Sequence, residues 1–202
     1  MKKLMLGVVM LFICGIGYAQ QDAAILDKIK QENLGTTTIS SDFKQTMHLT
    51  FMDDDVLSNG KFYYRKPDRL LLKYEQPEGE MMLINGENIS MVIMDQYTKV
   101  SAKSDPAIEL IHTIFSSCLE GDARKIKDAT VAAAEKNGYY EVVITLKGDK
   151  AKNIQRVKVH YDKQDMALTL LRTEDPDGGY TIYELAGKKL NQPIADSIFA
   201  DR

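Results

Sequence analysis

After residue 35 the chain is cut almost wholly into strand-length runs of β-branched, aromatic and aliphatic residues, each closed by a turn signal. Parallel strands need a crossover of a dozen or more residues, usually a helix. No regular alternation of strand and helix is present, so successive runs must pair antiparallel. From Thr36 the first run alternates: Phe43, Gln45, Met47, Leu49 and Phe51 share one face, and Lys44, Thr46, His48 and Thr50 share the other. The acidic Asp53, Asp54 and Asp55 turn it into the next strand, and after Pro77 the stretch EMMLINGENISMVIMD is a hairpin announced by Asn85-Gly86. Five further strands fall near residues 125–134, 139–147, 154–162, 167–174 and 180–189, between KNG, KGDKAKN, DKQD and DPDGG turns.

Only two segments carry a helical period. Residues 22–34 place Ala24, Ile25 and Ile29 on one side, with Gly35 as the stop. A second helix starts at Pro106, capped by Ser104 or Asp105, and repeats Ala107, Ile108, Leu110, Ile111, Ile114, Phe115, Cys118 and Leu119 until Gly121. So wide a stripe must lie against something apolar. The expected architecture is one long, curled antiparallel sheet with helices on one face.

The first nineteen residues stand apart. Lys2 and Lys3, the apolar run LMLGVVMLFICGIG and the small residues around Gly17-Tyr18-Ala19 read as a cleaved signal peptide, leaving residues 20–202 as a single domain. The run is short for a bilayer span, and Ile13 before Cys14 does not suit lipidation. Without Lys2 and Lys3, 24 basic residues face 29 acidic ones, for a net charge of −5, which argues against nucleic acid as a partner. Cys118 is then the one remaining cysteine, so no internal disulfide is possible and the thiol reads as a small buried hydrophobe.

Catalytic chemistry finds no support in the residue pattern. His48, His112 and His160 are far apart and carry no metal spacing, there is no phosphate-binding glycine loop, and the acidic tip lacks the ordered oxygen ligands of a calcium loop. No catalytic residue, metal or cofactor is assigned. The sequence GKFYYRKPDRLLLKYEQP, residues 60–77, is more informative. If Pro67 does not shift the register, Phe62, Tyr64, Lys66, Leu70, Leu72 and Tyr74 share one face, which sets a cation on an apolar wall. Alternatively Lys66 snorkels from a strand end and the leucines are simply core.

The order of a helix, an SDFKQ strand, GKFYYRKPDRLLLKYEQP, an LINGENI hairpin, a proline-led helix and a run of hairpins resembles the periplasmic carriers of outer-membrane lipoproteins, the LolA family. The resemblance covers most of the chain after residue 19. It implies an incomplete, half-open antiparallel β-barrel with helices as a lid over an apolar cavity. It further implies a monomeric periplasmic carrier, not an enzyme, that takes acylated lipoproteins from an inner-membrane lipoprotein-releasing transporter and passes them to an outer-membrane acceptor. The implied acyl-chain cavity is lined by Phe43, Met47, Phe62, Tyr64, Leu70, Leu72, Met82, Ile89, Met91 and Ile93, and the lid helix presents Ile108, Ile111, Ile114 and Phe115. Where the family usually has an arginine that latches the lid, this chain has Lys66, with Arg65 beside it; Lys66 is expected to bond carbonyls of the Pro106–Leu119 helix. The family's tryptophans are absent, as this chain has none. On the same scaffold the chain could instead bind or sense another amphiphile, such as a glycolipid.

Overall fold

The computed structural model describes residues 13–200. One 11-stranded antiparallel sheet organises the molecule, in the order β6-β5-β4-β3-β2-β1-β11-β10-β9-β8-β7. Helix α1 (Ile13–Leu34) leads into β1 (Thr38–His48), β2 (Val56–Arg65), β3 (Arg69–Gln76), β4 (Met81–Asn85), β5 (Asn88–Ile93) and β6 (Gln96–Ser101), a meander that walks to one edge of the sheet. Helix α2 (Pro106–Leu119) carries the chain to the opposite edge. From there β7 (Ala129–Glu135), β8 (Tyr139–Leu146), β9 (Arg156–Asp162), β10 (Leu168–Glu174) and β11 (Tyr180–Leu190) walk back until β11 pairs with β1. The sheet is therefore not closed into a barrel: β6 and β7 are its edges, and the chain spans the gap through α2.

Alternation decides which face is inner. On β8 and β9 every second residue is buried, Val142, Ile144, Val157, Val159 and Tyr161 among them. These join Ile39, Phe43, Phe62, Tyr64, Leu70 and Leu72 from the other half and Ile25, Leu26, Ile29, Leu110, Ile114, Phe115 and Cys118 from the two helices in one core. The helices thus pack on the inner face. A smaller cluster on the outer face holds Leu71, Leu83 and Phe199, so the C-terminal segment folds back over β3 and β4.

Gly60 explains the start of the glycine–aromatic motif. The β2–β3 register shifts between Asn59 and Gly60, and a Cβ there would lie 2.1 Å from the Lys73 carbonyl oxygen. Only glycine lets the two backbones approach so closely. Beyond this point Phe62 pairs with Leu72, Tyr64 with Leu70 and Arg65 with Arg69, so the turn at Pro67 keeps the register.

Four local expectations are corrected. Helix α1 begins at Ile13 instead of residue 22, because its backbone runs on through the apolar segment; most of the proposed signal peptide lies outside the described residues. Strand β1 ends at His48, so Leu49 and Phe51 belong to the hairpin loop, and Phe51 is 82% exposed. Strand β7 starts at Ala129, after a short 3-10 turn at Ala123–Lys125. Strand β6 was not expected at all: its two-residue turn from β5 is Met94-Asp95, both at positive φ, and lacks the glycine by which such hairpins are recognised. Among the described residues no helix is long and apolar enough to cross a membrane.

Candidate functional site: a hollow under helix α2

Helix α2 is built to sit over the sheet. Asp105 caps it by accepting from the Ala107 and Ile108 amides, Pro106 occupies the first turn, and Gly121 follows its end at φ +73° with Asn33 of α1 at 3.0 Å from where a Cβ would stand. Two side chains tie the helix down. The Tyr161 hydroxyl donates to the Cys118 carbonyl at 2.7 Å, and His112 Nε2 lies 3.0 Å from the Gly86 carbonyl in the β4–β5 turn.

Between α2 and the sheet is a hollow of about 610 Å³. Ala107, Ile111 and Phe115, on one stripe of α2, face Met82 of β4 and Tyr183 of β11. Its rim includes Lys152–Ile154, before β9, and Asp175–Asp177, in the β10–β11 turn. An edge-to-face aromatic pair, Phe115 with Tyr183 at 5.5 Å, sets its wall, and a second, Phe43 with Tyr74 at 5.1 Å, lies in the neighbouring core. The Tyr74 hydroxyl donates to Gln45 Oε1 at 2.6 Å, whereas the buried hydroxyls of Tyr64 and Ser41 have no hydrogen-bond partner among the described residues. Burial pushes the Tyr183 hydroxyl up to about 12 and Tyr74 higher still, so both stay neutral.

Of the residues expected to line a cavity, Phe43, Phe62, Tyr64, Leu70, Leu72 and Ile89 are buried in the core together with Ile114 and Phe115, while Met82, Met91, Ile108 and Ile111 pack partly buried against them. Much of the predicted wall is therefore in contact with helix side chains, and the open space lies where Met82, Ile111 and Phe115 meet. Met47 is half-buried. Ile93 is 52% exposed at the end of β5 and does not line the hollow, because the strand runs out there and nothing covers its last residue. Tyr183 and the rim residues were missed. They lie far from the motif in the chain, although Tyr183 alternates with Leu185 on the inner face, which is a legible signal.

Lys66 and Arg65 part company. Lys66 sits in the β2–β3 turn and donates to the carbonyls of Asn33 and Leu34, at 2.5 and 3.3 Å. The helix it holds is thus α1 and not the Pro106–Leu119 helix, because the turn lies under the last residues of α1, whose carbonyls lack helical partners. Burial lowers the Lys66 pKa. Arg65 points to the outer face, where it donates to the Ile194 carbonyl and to Asp196 and lies 5.2 Å over the Phe199 ring.

The histidines are dispersed: His48 lies against Asp55, and His160 stacks on Tyr139. Among the described residues no three His, Cys, Asp or Glu side chains group as a metal site would need. Cys118 is fully buried, and burial pushes its thiol up to about 12.

Comparison with known proteins agrees with this architecture. The family model described as outer membrane lipoprotein carrier protein LolA matches residues 35–201. A search of curated proteins by sequence finds no match. Among solved structures, a DUF1329 family protein from Desulfovibrio piger is similar with a TM-score of 0.53 at 13% identity, covering 91% of this chain and 97% of that one. A candidate outer membrane lipoprotein-sorting protein domain from Vibrio parahaemolyticus reaches a TM-score of 0.50 at 10% identity, covering 90% and 97%. An uncharacterized conserved protein from Thermus thermophilus reaches 0.51 at 10% identity, covering 88% and 91%. At such identities the likeness is one of fold.

Proposed function

Since this chain belongs to the outer membrane lipoprotein carrier (LolA) family, we propose that it is a periplasmic carrier of acylated lipoproteins, exported by a signal peptide over residues 1–19. It receives its cargo from an inner-membrane lipoprotein-releasing transporter and delivers it to an outer-membrane acceptor. The observation that carries this reading is the apolar hollow of about 610 Å³ under α2, which bridges the gap between two sheet edges.

Volume and energy both suit an acyl chain. At about 30 Å³ for a small group such as a water, the hollow holds roughly twenty methylene-sized units, enough for one long chain. Each methylene kept from water is worth about 0.8 kcal/mol, so one chain is shielded by on the order of 15 kcal/mol. A cargo with further chains needs the helices to move off Phe62, Tyr64, Leu70, Leu72 and Ile89, whose faces they now cover. Such movement leaves the strand ladders intact, because β6 and β7 are edges.

Mass spectrometry of molecules retained through mild purification tests the reading. Acylated peptides are expected in the parent, and Ile111→Asp, at a partly buried residue that lines the hollow, is expected to lose them while remaining folded. Retention of glycolipid alone would replace the lipoprotein role with binding of another amphiphile.

A further inference from the structure

The meander brings three loops of one half of the sheet to the same end: the β1–β2 tip at residues 49–55, the β3–β4 loop at 77–80 and the β5–β6 turn at Met94-Asp95. That is also the end carrying the β10–β11 turn, where the hollow has its rim. Large apolar side chains are exposed there: Phe51 at 82%, Leu57 at 71%, Met94 at 84% and Met52 at 41%. Single exposed apolar residues are ordinary, but a cluster at one end marks a contact surface.

Several polar contacts fix the lip, while its apolar groups and the carboxylates of Asp53, Asp54, Glu78 and Asp95 are left outward. The Thr50 hydroxyl donates to Asp177 at 3.3 Å, His48 lies 2.8 Å from Asp55, and the Met52 amide donates to the Leu49 carbonyl at 2.9 Å. The Met94 amide donates to Glu80 at 3.3 Å, joining two of the loops. Met94 also occupies a backbone position at φ 49° that glycine or asparagine would fill with less strain. Charge then narrows the partner. Asp53, Asp54, Asp55, Glu78, Glu80 and Asp95 stand in these loops with no lysine or arginine, whereas the connection across the mouth carries Lys147, Lys150 and Lys152.

We propose that this acidic, apolar lip docks a membrane-anchored protein whose contact element carries lysine or arginine around an apolar recess. Apolar burial supplies the hold, and opposite charge selects the partner and turns the mouth towards it. A bare lipid surface fits poorly, because insertion of Phe51 and Met52 would press Asp53 to Asp55 against phosphate headgroups. The proposal takes only the choice of membrane from the carrier reading.

The test sediments labelled full chain with inner-membrane vesicles from the cell of origin, with the same vesicles shaved by trypsin, and with liposomes made from their extracted lipid. Binding of a soluble, synthetic acylated lipopeptide is measured separately. The parent is expected to bind intact vesicles, to lose about tenfold on shaved vesicles and liposomes, and to bind several-fold more weakly as salt rises. Phe51→Ser with Leu57→Ser, and independently Asp53→Lys with Asp54→Lys, are expected to lose about tenfold on intact vesicles while taking up the lipopeptide like the parent. Equal binding to liposomes would assign the lip to lipid and overturn the proposal. So would an absence of binding by the parent, or variants that sediment as it does. Failure of the parent to take up lipopeptide would count against the carrier reading and leave the lip as proposed.

Discussion

Replacing Lys66 by leucine removes the one ammonium that serves the last two carbonyls of α1, those of Asn33 and Leu34. Helix C-terminal carbonyls have no partner within the helix, and a cation there is favoured by the helix dipole by about 0.3–1 kcal/mol. A hydrogen bond to a charged group contributes roughly 1.5–3 kcal/mol. Opposing this, the ammonium is partly desolvated, which is why burial lowers its pKa; leucine recovers that loss. The balance leaves about 1.5–3 kcal/mol against the closed position of α1, a ten- to hundredfold shift in its opening. Hydrogen exchange at the Ile29–Leu34 amides reads this directly, and transfer of a loaded lipoprotein to outer membranes reads its consequence. Lys66→Leu should exchange faster in that turn, load normally and release poorly, whereas Lys66→Arg should restore both, since a guanidinium reaches the same oxygens. Arg65→Leu should leave α1 unchanged and loosen residues 194–199 instead. Unaltered exchange in the last turn of α1 in Lys66→Leu would refute the latch, whatever happens to transfer.

Three further outcomes are expected. Gly60→Ala should lower stability by about 1–3 kcal/mol, or roughly 2–12 °C in Tm for a chain of this size, because its Cβ meets the backbone of Lys73 and Tyr74; an unchanged melting curve would mean that the bulge relaxes freely. Hydrogen bonding and charge from Arg65, aided by Arg69, hold the Asp196 carboxyl below its ordinary 3.8. Its hold on the C-terminal segment should be complete above that value and lost only as pH falls through the depressed one; exchange at residues 194–199 followed downward in pH checks this, and release complete by 3.8 would contradict it. Cys118, with its thiol pushed up to about 12 and no exposed surface, should react with iodoacetamide only at the rate of global unfolding.

The strand pattern was legible wherever period two met a turn with glycine, proline or clustered polar residues, as at Asn85-Gly86 and at the connections of β8 to β11. It failed at Met94-Asp95, where two non-glycine residues adopt positive φ and the turn has no composition to announce it. Periodicity also told which side chains share a face, and so found Phe62, Tyr64, Leu70 and Leu72. It could not tell which stretch of that face is covered by a helix and which borders empty space, since that depends on where α2 and the distant β11 lie. For the same reason Lys66 could be singled out while its partner helix could not: Asn33 is 33 positions away and no local pattern links them.

The pairing of β1 with β11 joins residues as far apart as Ile39 and Leu190. A chain that emerges N-terminus first can zip β1 to β6 early, since each pairing there is with the next strand. Until β11 arrives, however, the free side of β1 is a long, unpaired strand edge, of the kind that recruits other chains into aggregates. The second meander forms last and its final strand completes the first, so truncation anywhere before Tyr180 leaves that edge permanently open. In a chain of this topology that edge stays open for the whole interval between the emergence of its first and last strands.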